Sequence, residues 1–445
     1  MLPAIHILGG GLAGSEAAWQ IARRGLRAVL YEMRPVRTTA AHQTDRLAEL
    51  VCSNSLKSDQ ENSASWLLKD ELRRLDSLSM RAADAARVPG GHALTVDRDV
   101  FAEQVTRAIE DEPLIDIRRE QVDAIPDEGI VIVATGPLTS GALAEDIAQR
   151  TGSRRLYFYD AISPIVDADT VDLSIAFRAS RWGRSLDGTD DYLNCPLNRE
   201  EYLAFVEALL HGQPVEAHID EDRYFEGCLP IEEIARRGPD TLRFGPMKPA
   251  GLTDPRTGRW PYAAVQLRQE NLRADSYNLV GFQNHLKFGE QKRILRMIPG
   301  LERAEFLRYG QIHRNTYINA PSLLAGTLQL KSDGRILFAG QISGVEGYVE
   351  SIATGLLAGR NAAALAMGQT PQAPPRETAL GSLCHYITGA DPENYQPANI
   401  AFDLFPPLEE MLLRRLRHDR KGRHAEICSR ARAALEEFLG ASVGA

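Results

Sequence analysis

Apolar residues follow two rhythms along the chain. Short, largely apolar runs, Ile5-His6-Ile7-Leu8, Arg27-Ala28-Val29-Leu30-Tyr31 and Gly129-Ile130-Val131-Ile132-Val133, read as strands buried on both faces. Between them, helical spacing puts Leu67, Leu68, Leu72, Leu75 and Met80 on one face of a predicted amphipathic helix over 64–86. The same spacing puts Val100, Phe101, Val105 and Ile109 on one face of another over 99–110. Pro89-Gly90-Gly91 predicts a turn into a short strand, and residues 115–122 a further strand. A last run, Arg335-Ile336-Leu337-Phe338-Ala339, ends in glycine and leads into a small-residue helix reaching about Ala366. Buried strands alternating with helices predict an α/β fold around a parallel central sheet.

From about Tyr157 to Tyr317 the alternation stops. Aromatic, Arg and Pro residues intersperse there, as in Arg181-Trp182-Gly183-Arg184 and Phe244-Gly245-Pro246-Met247-Lys248-Pro249, which predicts an inserted α+β domain. The expected division is 1–180 for the first part of a Rossmann-like domain, 181–317 for an inserted substrate domain and 318–445 for the second part. After Pro371, Pro374 and Pro375 that last part becomes a helical tail.

With 445 residues, 44% hydrophobic and 25% charged, the chain suits a soluble protein of two or three domains. Lys and Arg number 51 against 60 Asp and Glu, a net charge of −9 that excludes bulk attraction to nucleic acid but leaves room for local basic faces. One such run gathers Arg414, Arg415, Arg417, Arg420, Lys421 and Arg423 around a single acid, Asp419; it suits a solvated helix face or a phosphate-tracking patch. Five cysteines with no CxxC pair point to reduced thiols, with neither a metal site nor a redox disulfide. No basic leader is seen, and no stretch approaches the about 20 apolar residues of a membrane span, so a cytoplasmic protein without a membrane partner is expected.

The candidate chemistry begins where the first run ends, in Gly9-Gly10-Gly11-Leu12-Ala13-Gly14. In the Gly-x-Gly-x-x-Gly spacing the first glycine permits a tight turn out of the strand and the second lets the backbone approach a pyrophosphate. The third lets the helix sit close to the sheet. Leu12 and Ala13 open that helix, whose N–H groups and positive dipole end suit phosphates. Glu32 ends the second run, placed to accept hydrogen bonds from a ribose. Ala134-Thr135-Gly136 closes the third run with an ending that recurs in FAD-binding chains. Gly340 and Gln341 close the last strand, and Gly344-Val345-Glu346-Gly347-Tyr348 opens a second helix whose backbone N–H groups suit a flavin's pyrophosphate, ribityl chain or ring edge. In this order the turns predict a Rossmann-like FAD-binding domain interrupted by the inserted one. Many FAD enzymes with two dinucleotide domains place Asp where Gln341 stands, which weakens a generic disulfide-reductase reading.

Two cysteines occupy loops that suit either a site or a buried thiol: Cys52 in Cys52-Ser53-Asn54-Ser55, and Cys228 between Gly227 and Pro230. His313-Arg314-Asn315-Thr316-Tyr317 is dense in groups that stack or donate hydrogen bonds.

Val51-Cys52-Ser53-Asn54-Ser55, Asp191-Tyr192-Leu193-Asn194-Cys195-Pro196, Phe244-Gly245-Pro246-Met247-Lys248-Pro249 and Gly344-Val345-Glu346-Gly347-Tyr348 together resemble the folate- and FAD-dependent tRNA (uracil-5-)-methyltransferase family. The likeness runs from Gly9 to about Pro374 and more loosely to the end. It implies methylation of the T-loop uridine of tRNA to 5-methyluridine, with 5,10-methylenetetrahydrofolate as one-carbon donor and NADPH or NADH reducing FAD. It also implies Cys228 as the thiolate that adds to uracil C6, Cys52 as the base that removes the C5 proton, and His313 as the group that stacks the folate pterin. The local sequence suits the two thiols in either order; Cys195 is expected to be structural. The rival readings are a wobble-uridine enzyme of the related MnmG type, which carries a long C-terminal extension, and a small-molecule FAD oxidoreductase.

Overall fold

The structure, a computed structural model, describes residues 4–39, 41–152, 156–186, 188–215 and 229–443. The unbroken apolar runs form a six-stranded sheet in the order Gln329–Leu330, Asp333–Phe338, Val131–Val133, Ile5–Leu8, Ala28–Tyr31, Ile115–Arg118. The four junctions from Asp333–Phe338 onward are parallel and the outermost pair is antiparallel. Ile7 faces Leu30 on one side and Ile132 on the other, and all three are buried. The fold class is therefore α/β on a mainly parallel sheet.

Two helices cross this sheet in backbone contact, Leu12–Ala22 and Tyr348–Ala366. A Cβ at Gly355 would stand 2.3 Å from the Ala13 carbonyl oxygen, and one at Gly359 2.6 Å from that of Ala17. The small residues of the second helix thus set how near it comes to the first. That close approach fixes where the N-terminus of the first helix points.

The helix expected over 64–86 is two helices, Ala64–Arg74 and Leu78–Ala85. Asp76 breaks it with a left-handed φ of 58°, and Ser77 caps the second piece by accepting the Met80 N–H. The break is held from the first helix: the buried Glu16 carboxylate accepts from Ser77 Oγ at 2.9 Å and from the Ser79 N–H at 3.0 Å. The strand expected over 115–122 ends at Arg118. The tail is helical in pieces, Ala379–Gly389, Glu410–Arg415 and Arg420–Val443. Among the described residues no helix is long and apolar enough to cross a membrane.

A second six-stranded sheet, antiparallel throughout, runs Phe177–Arg178, Tyr192–Leu197, Ala263–Gln269, Ser276–Leu279, Ile165–Asp167, Phe306–Arg308. Its strands therefore begin ahead of residue 181. Tyr202, Phe205, Tyr277 and Phe282 fill a core of its own. The chain crosses between the two sheets on a ribbon that pairs Leu156–Ala161 with Ile312–Tyr317.

Candidate active site

A cavity with an empty volume of about 1060 Å³ opens at the end of the parallel sheet where the first strand meets its helix. Gly9 through Ala13, Glu32, Ala134-Thr135-Gly136, Gly340, Gln341 and Tyr348 all line it. Gly9 takes φ +104°, and a Cβ there would lie 2.6 Å from the Ala134 carbonyl oxygen, so the two turns can meet only without a side chain. Gly11 faces open space, whereas Gly14 lies off the cavity, where a Cβ would come within 1.8 Å of the Gly9 carbonyl oxygen. No side chain caps the Leu12–Ala22 helix, so its first N–H groups and positive dipole end are directed at the cavity mouth. This is an anion-binding end of a helix, set beside a long, largely apolar cleft.

Glu32 is anchored more firmly than a lone ribose ligand requires. Its carboxylate accepts the Gly10 N–H at 3.0 Å, the Arg34 N–H at 3.0 Å and the Arg34 Nε at 2.9 Å. Burial works against its charge, but Arg34's hydrogen bonds and positive charge outweigh that and hold the carboxyl below its ordinary range. Arg34, itself buried, also donates to Glu49 Oε2 at 3.0 Å, and Glu49 accepts the N–H groups of Gln43 and Thr44. Charge pairing therefore ties a cavity wall, the polar loop after Glu32, to the second strand.

At the other end Tyr348 joins the cofactor-like cleft to the thiol. Its hydroxyl accepts the N–H groups of Cys52 and Ser53 at 2.7 and 3.0 Å. Burial, followed by the charge of Cys52, pushes the phenol above its ordinary range, so it remains a neutral acceptor. Arg98 donates to the Leu50 carbonyl at 2.7 Å and pairs with Glu270 at 2.6 Å; Arg268 donates to Ser53 Oγ at 2.7 Å and to Asn54 Oδ1 at 3.0 Å. Two cations, Arg98 and Arg268, thus hold the residues on either side of one partly exposed cysteine.

Gly347 sits off the cavity, with φ +113°; a Cβ there would meet Glu350 Oε2 at 2.3 Å and Lys57 Nζ at 2.7 Å. Lys57 pairs with the buried Glu350 at 2.8 Å. His313 stands on the ribbon strand opposite Asp160. Cys228 lies outside the described residues. Cys195 is buried in the inserted sheet, on the strand Tyr192–Leu197 and opposite Val265, and burial pushes its thiol up to about 12. Among the described residues no group of three or more His, Cys, Asp or Glu is placed to hold a metal ion.

Sequence reasoning missed Arg34, Glu49, Arg98, Arg268 and Glu270. Only Arg34 carried a local signal, standing two residues beyond the strand-ending acid. Glu49 pairs with Arg34 fifteen residues away, and Arg98, Arg268 and Glu270 come to the Cys52 loop through contacts distant in sequence.

The cleft with its two glycine turns, on an interrupted parallel sheet, belongs to a protein of the GidA class. The family model described as "Glucose inhibited division protein A" matches residues 4–370. Two solved structures of Aquifex aeolicus GidA share the fold at TM-scores of 0.70 and 0.69 with 18% identity, over 98% and 97% of this chain and 73% and 75% of theirs. Within that class, several similar curated relatives carry the name methylenetetrahydrofolate–tRNA-(uracil-5-)-methyltransferase TrmFO. The protein from Solibacter usitatus is 71% identical over 441 residues, 99% of both chains. The Koribacter versatilis protein is 62% identical over 98% of this chain and 97% of its own, and the Geobacter sulfurreducens protein 57% over 99% of both. The chain belongs to the TrmFO family.

Proposed function

We propose that this protein methylates uracil C5 in tRNA, at the T-loop uridine, with methylenetetrahydrofolate as one-carbon donor, FAD as resident cofactor and NADPH or NADH as reductant. One observation carries the reading: the loop of Cys52 is clamped to the rim of the cavity by Tyr348 while Arg98 and Arg268 hold the residues on either side of it. Positive neighbours favour a thiolate, the form able to take a proton or add to carbon.

The cavity suits FAD on its own features. A Cβ-free cradle and the end of a helix fit the pyrophosphate, the Glu32 carboxylate fits the ribose, and the turn at Gly340 and Gln341 leads toward the ring end. When bound and reduced, the flavin supplies a hydride. The residues of the chain do the rest. The Cys228 thiolate adds to C6 of the uracil and makes C5 nucleophilic, so that C5 takes the one-carbon unit. Cys52 removes the C5 proton as the bond from the one-carbon unit to the tetrahydrofolate nitrogen breaks, which leaves an exocyclic methylene on C5; addition of hydride to that methylene completes the methyl group and expels the Cys228 thiolate from C6. His313 stacks the pterin. Glycines 9, 11 and 136 with Glu32, Gln341 and Tyr348 hold the cofactor. The exposed Arg414–Arg423 run tracks tRNA phosphates. Residues 181–317 form the body of the substrate domain between the two parts of the FAD domain.

Incubation with FAD, NADPH, methylenetetrahydrofolate and unmodified tRNA is expected to yield 5-methyluridine; the absence of product contradicts the reading. Cys228→Ala is expected to abolish the covalent adduct with 5-fluorouridine RNA, and Cys52→Ala to retain it. An adduct that survives Cys228→Ala reverses the two roles.

A further inference from the structure

The inserted sheet carries two exposed tryptophans that the chemistry above does not use. Trp182 and Trp260 are 59% and 51% exposed, and their rings meet edge to face with centroids 5.2 Å apart. Trp182 is held there against its backbone preference, with φ 59° and ψ 21°, a left-handed conformation that bulky residues rarely adopt. The Trp182 N–H donates to the Gly251 carbonyl at 2.9 Å, and Gly251, at φ +80°, gives the indole room: a Cβ there would stand 2.7 Å from Trp182 Nε1. The ring therefore lies on bare backbone with most of its surface in water. Strain and exposure together, on an aromatic pair, mark a surface shaped for a partner.

The charge around the pair selects the partner. Arg184 and Arg259, two residues and one residue from the tryptophans, are exposed, as is Lys248, whose carbonyl accepts from Arg181. The neighbouring Asp254 is neutralised by Arg256 at 2.8 Å, and Asp190 accepts the Ser180 N–H. Planar rings beside cations that have no acidic partner among the described residues suit unstacked bases and their phosphates. The platform also lies on the way to the thiol. Arg181, next to Trp182, donates to Gln266 Oε1 at 2.9 Å, and two positions along that strand, on the same face, Arg268 donates to Ser53 beside Cys52. Such a step along a strand is roughly 7 Å, so the residue that anchors Arg181 and the one that reaches Ser53 are near neighbours on one face of the sheet.

We propose that Trp182 and Trp260, with Arg184 and Arg259, form a stacking platform for unpaired bases of the RNA substrate beside the target uridine. The proposal rests on the tRNA reading above and adds where the neighbouring nucleotides lie. Stacking reads the π-face that every base has, so the platform holds the opened loop without specifying its sequence.

The test uses the full chain with FAD bound and an unmodified T-arm RNA hairpin, with affinity read by anisotropy and ring contact by tryptophan fluorescence quenching. Trp182→Ala and Trp260→Ala, each with an unchanged melting midpoint, are expected to weaken hairpin binding about tenfold and to reduce the quench, with Trp182→Phe recovering part of the affinity. Arg184→Glu and Arg259→Glu are expected to flatten the salt dependence of binding. A double tryptophan variant that binds the hairpin as the native chain does overturns the platform alone. A native chain that binds no hairpin overturns the platform and the tRNA reading together. Weakened tetrahydrofolate binding with RNA affinity intact makes the pair a folate subsite and also overturns the proposal.

Discussion

The backbone at Cys52 is gripped from two sides, by the Tyr348 hydroxyl that accepts its N–H and by Arg98, which donates to the Leu50 carbonyl two residues earlier. Tyr348→Phe removes the acceptor for two N–H donors at once. It is expected to cost about 1–3 kcal/mol in urea unfolding and to change the rate at which iodoacetamide alkylates Cys52. An unchanged alkylation rate would separate the tyrosine from the thiol. Arg34→Met strands two carboxylates, Glu32 and Glu49, in a buried setting. A loss of about 3–5 kcal/mol is expected, along with faster release of FAD, since unpaired buried charge is costly. Lys69 gives a pH signature. Its ammonium is buried, donating to the carbonyls of Leu56 and Ser58 at 2.9 and 2.8 Å, and burial pushes it down from 10.5 to about 7. The unfolded chain keeps that proton to higher pH than the folded one. Stability should therefore rise with pH across the window from about 7 to about 10.5, by up to about 1.4 kcal/mol per unit. Subtracting the profile of Lys69→Met from that of the native chain is expected to isolate this rise; a flat difference would contradict it.

At the scale of elements, the contact between Leu12–Ala22 and Tyr348–Ala366 connects packing to the site. Both helices begin at the cavity, one at the glycine turn and the other at Tyr348. Gly355→Ala places a methyl against the Ala13 carbonyl oxygen, so the helices must part. A destabilisation of about 1–3 kcal/mol is expected in thermal unfolding, with weakened FAD affinity, whereas Gly368→Ala, at an open position beyond the helix, should leave FAD affinity unchanged. The parallel strands and both glycine turns were legible in the sequence because each is a local pattern: an unbroken apolar run, then residues without side chains where a ligand or helix comes close. The break at Asp76 was not. The apolar spacing runs on through it, and what stops the helix is Glu16, sixty-odd residues away, which captures the N–H groups of the second piece.

Across the whole molecule the two sheets meet at the thiol. The inserted sheet supplies Arg268 and Glu270, the parallel-sheet part supplies Arg98 and Cys52, and Asn54 donates to the Gln269 carbonyl at 2.8 Å between them. This setting for Cys52 exists only in the assembled fold, which is why a local reading could not choose between a site loop and a buried thiol there. An overall acidic chain can act on tRNA through local groups of cations, without positive charge spread over the whole surface. The most direct test of that account is transfer of label. With 13C-methylene-labelled tetrahydrofolate, NADPH and unmodified tRNA, mass spectrometry of the nucleosides is expected to find the label in 5-methyluridine of the T loop. Product that forms without folate, or takes its methyl from S-adenosylmethionine, would contradict it.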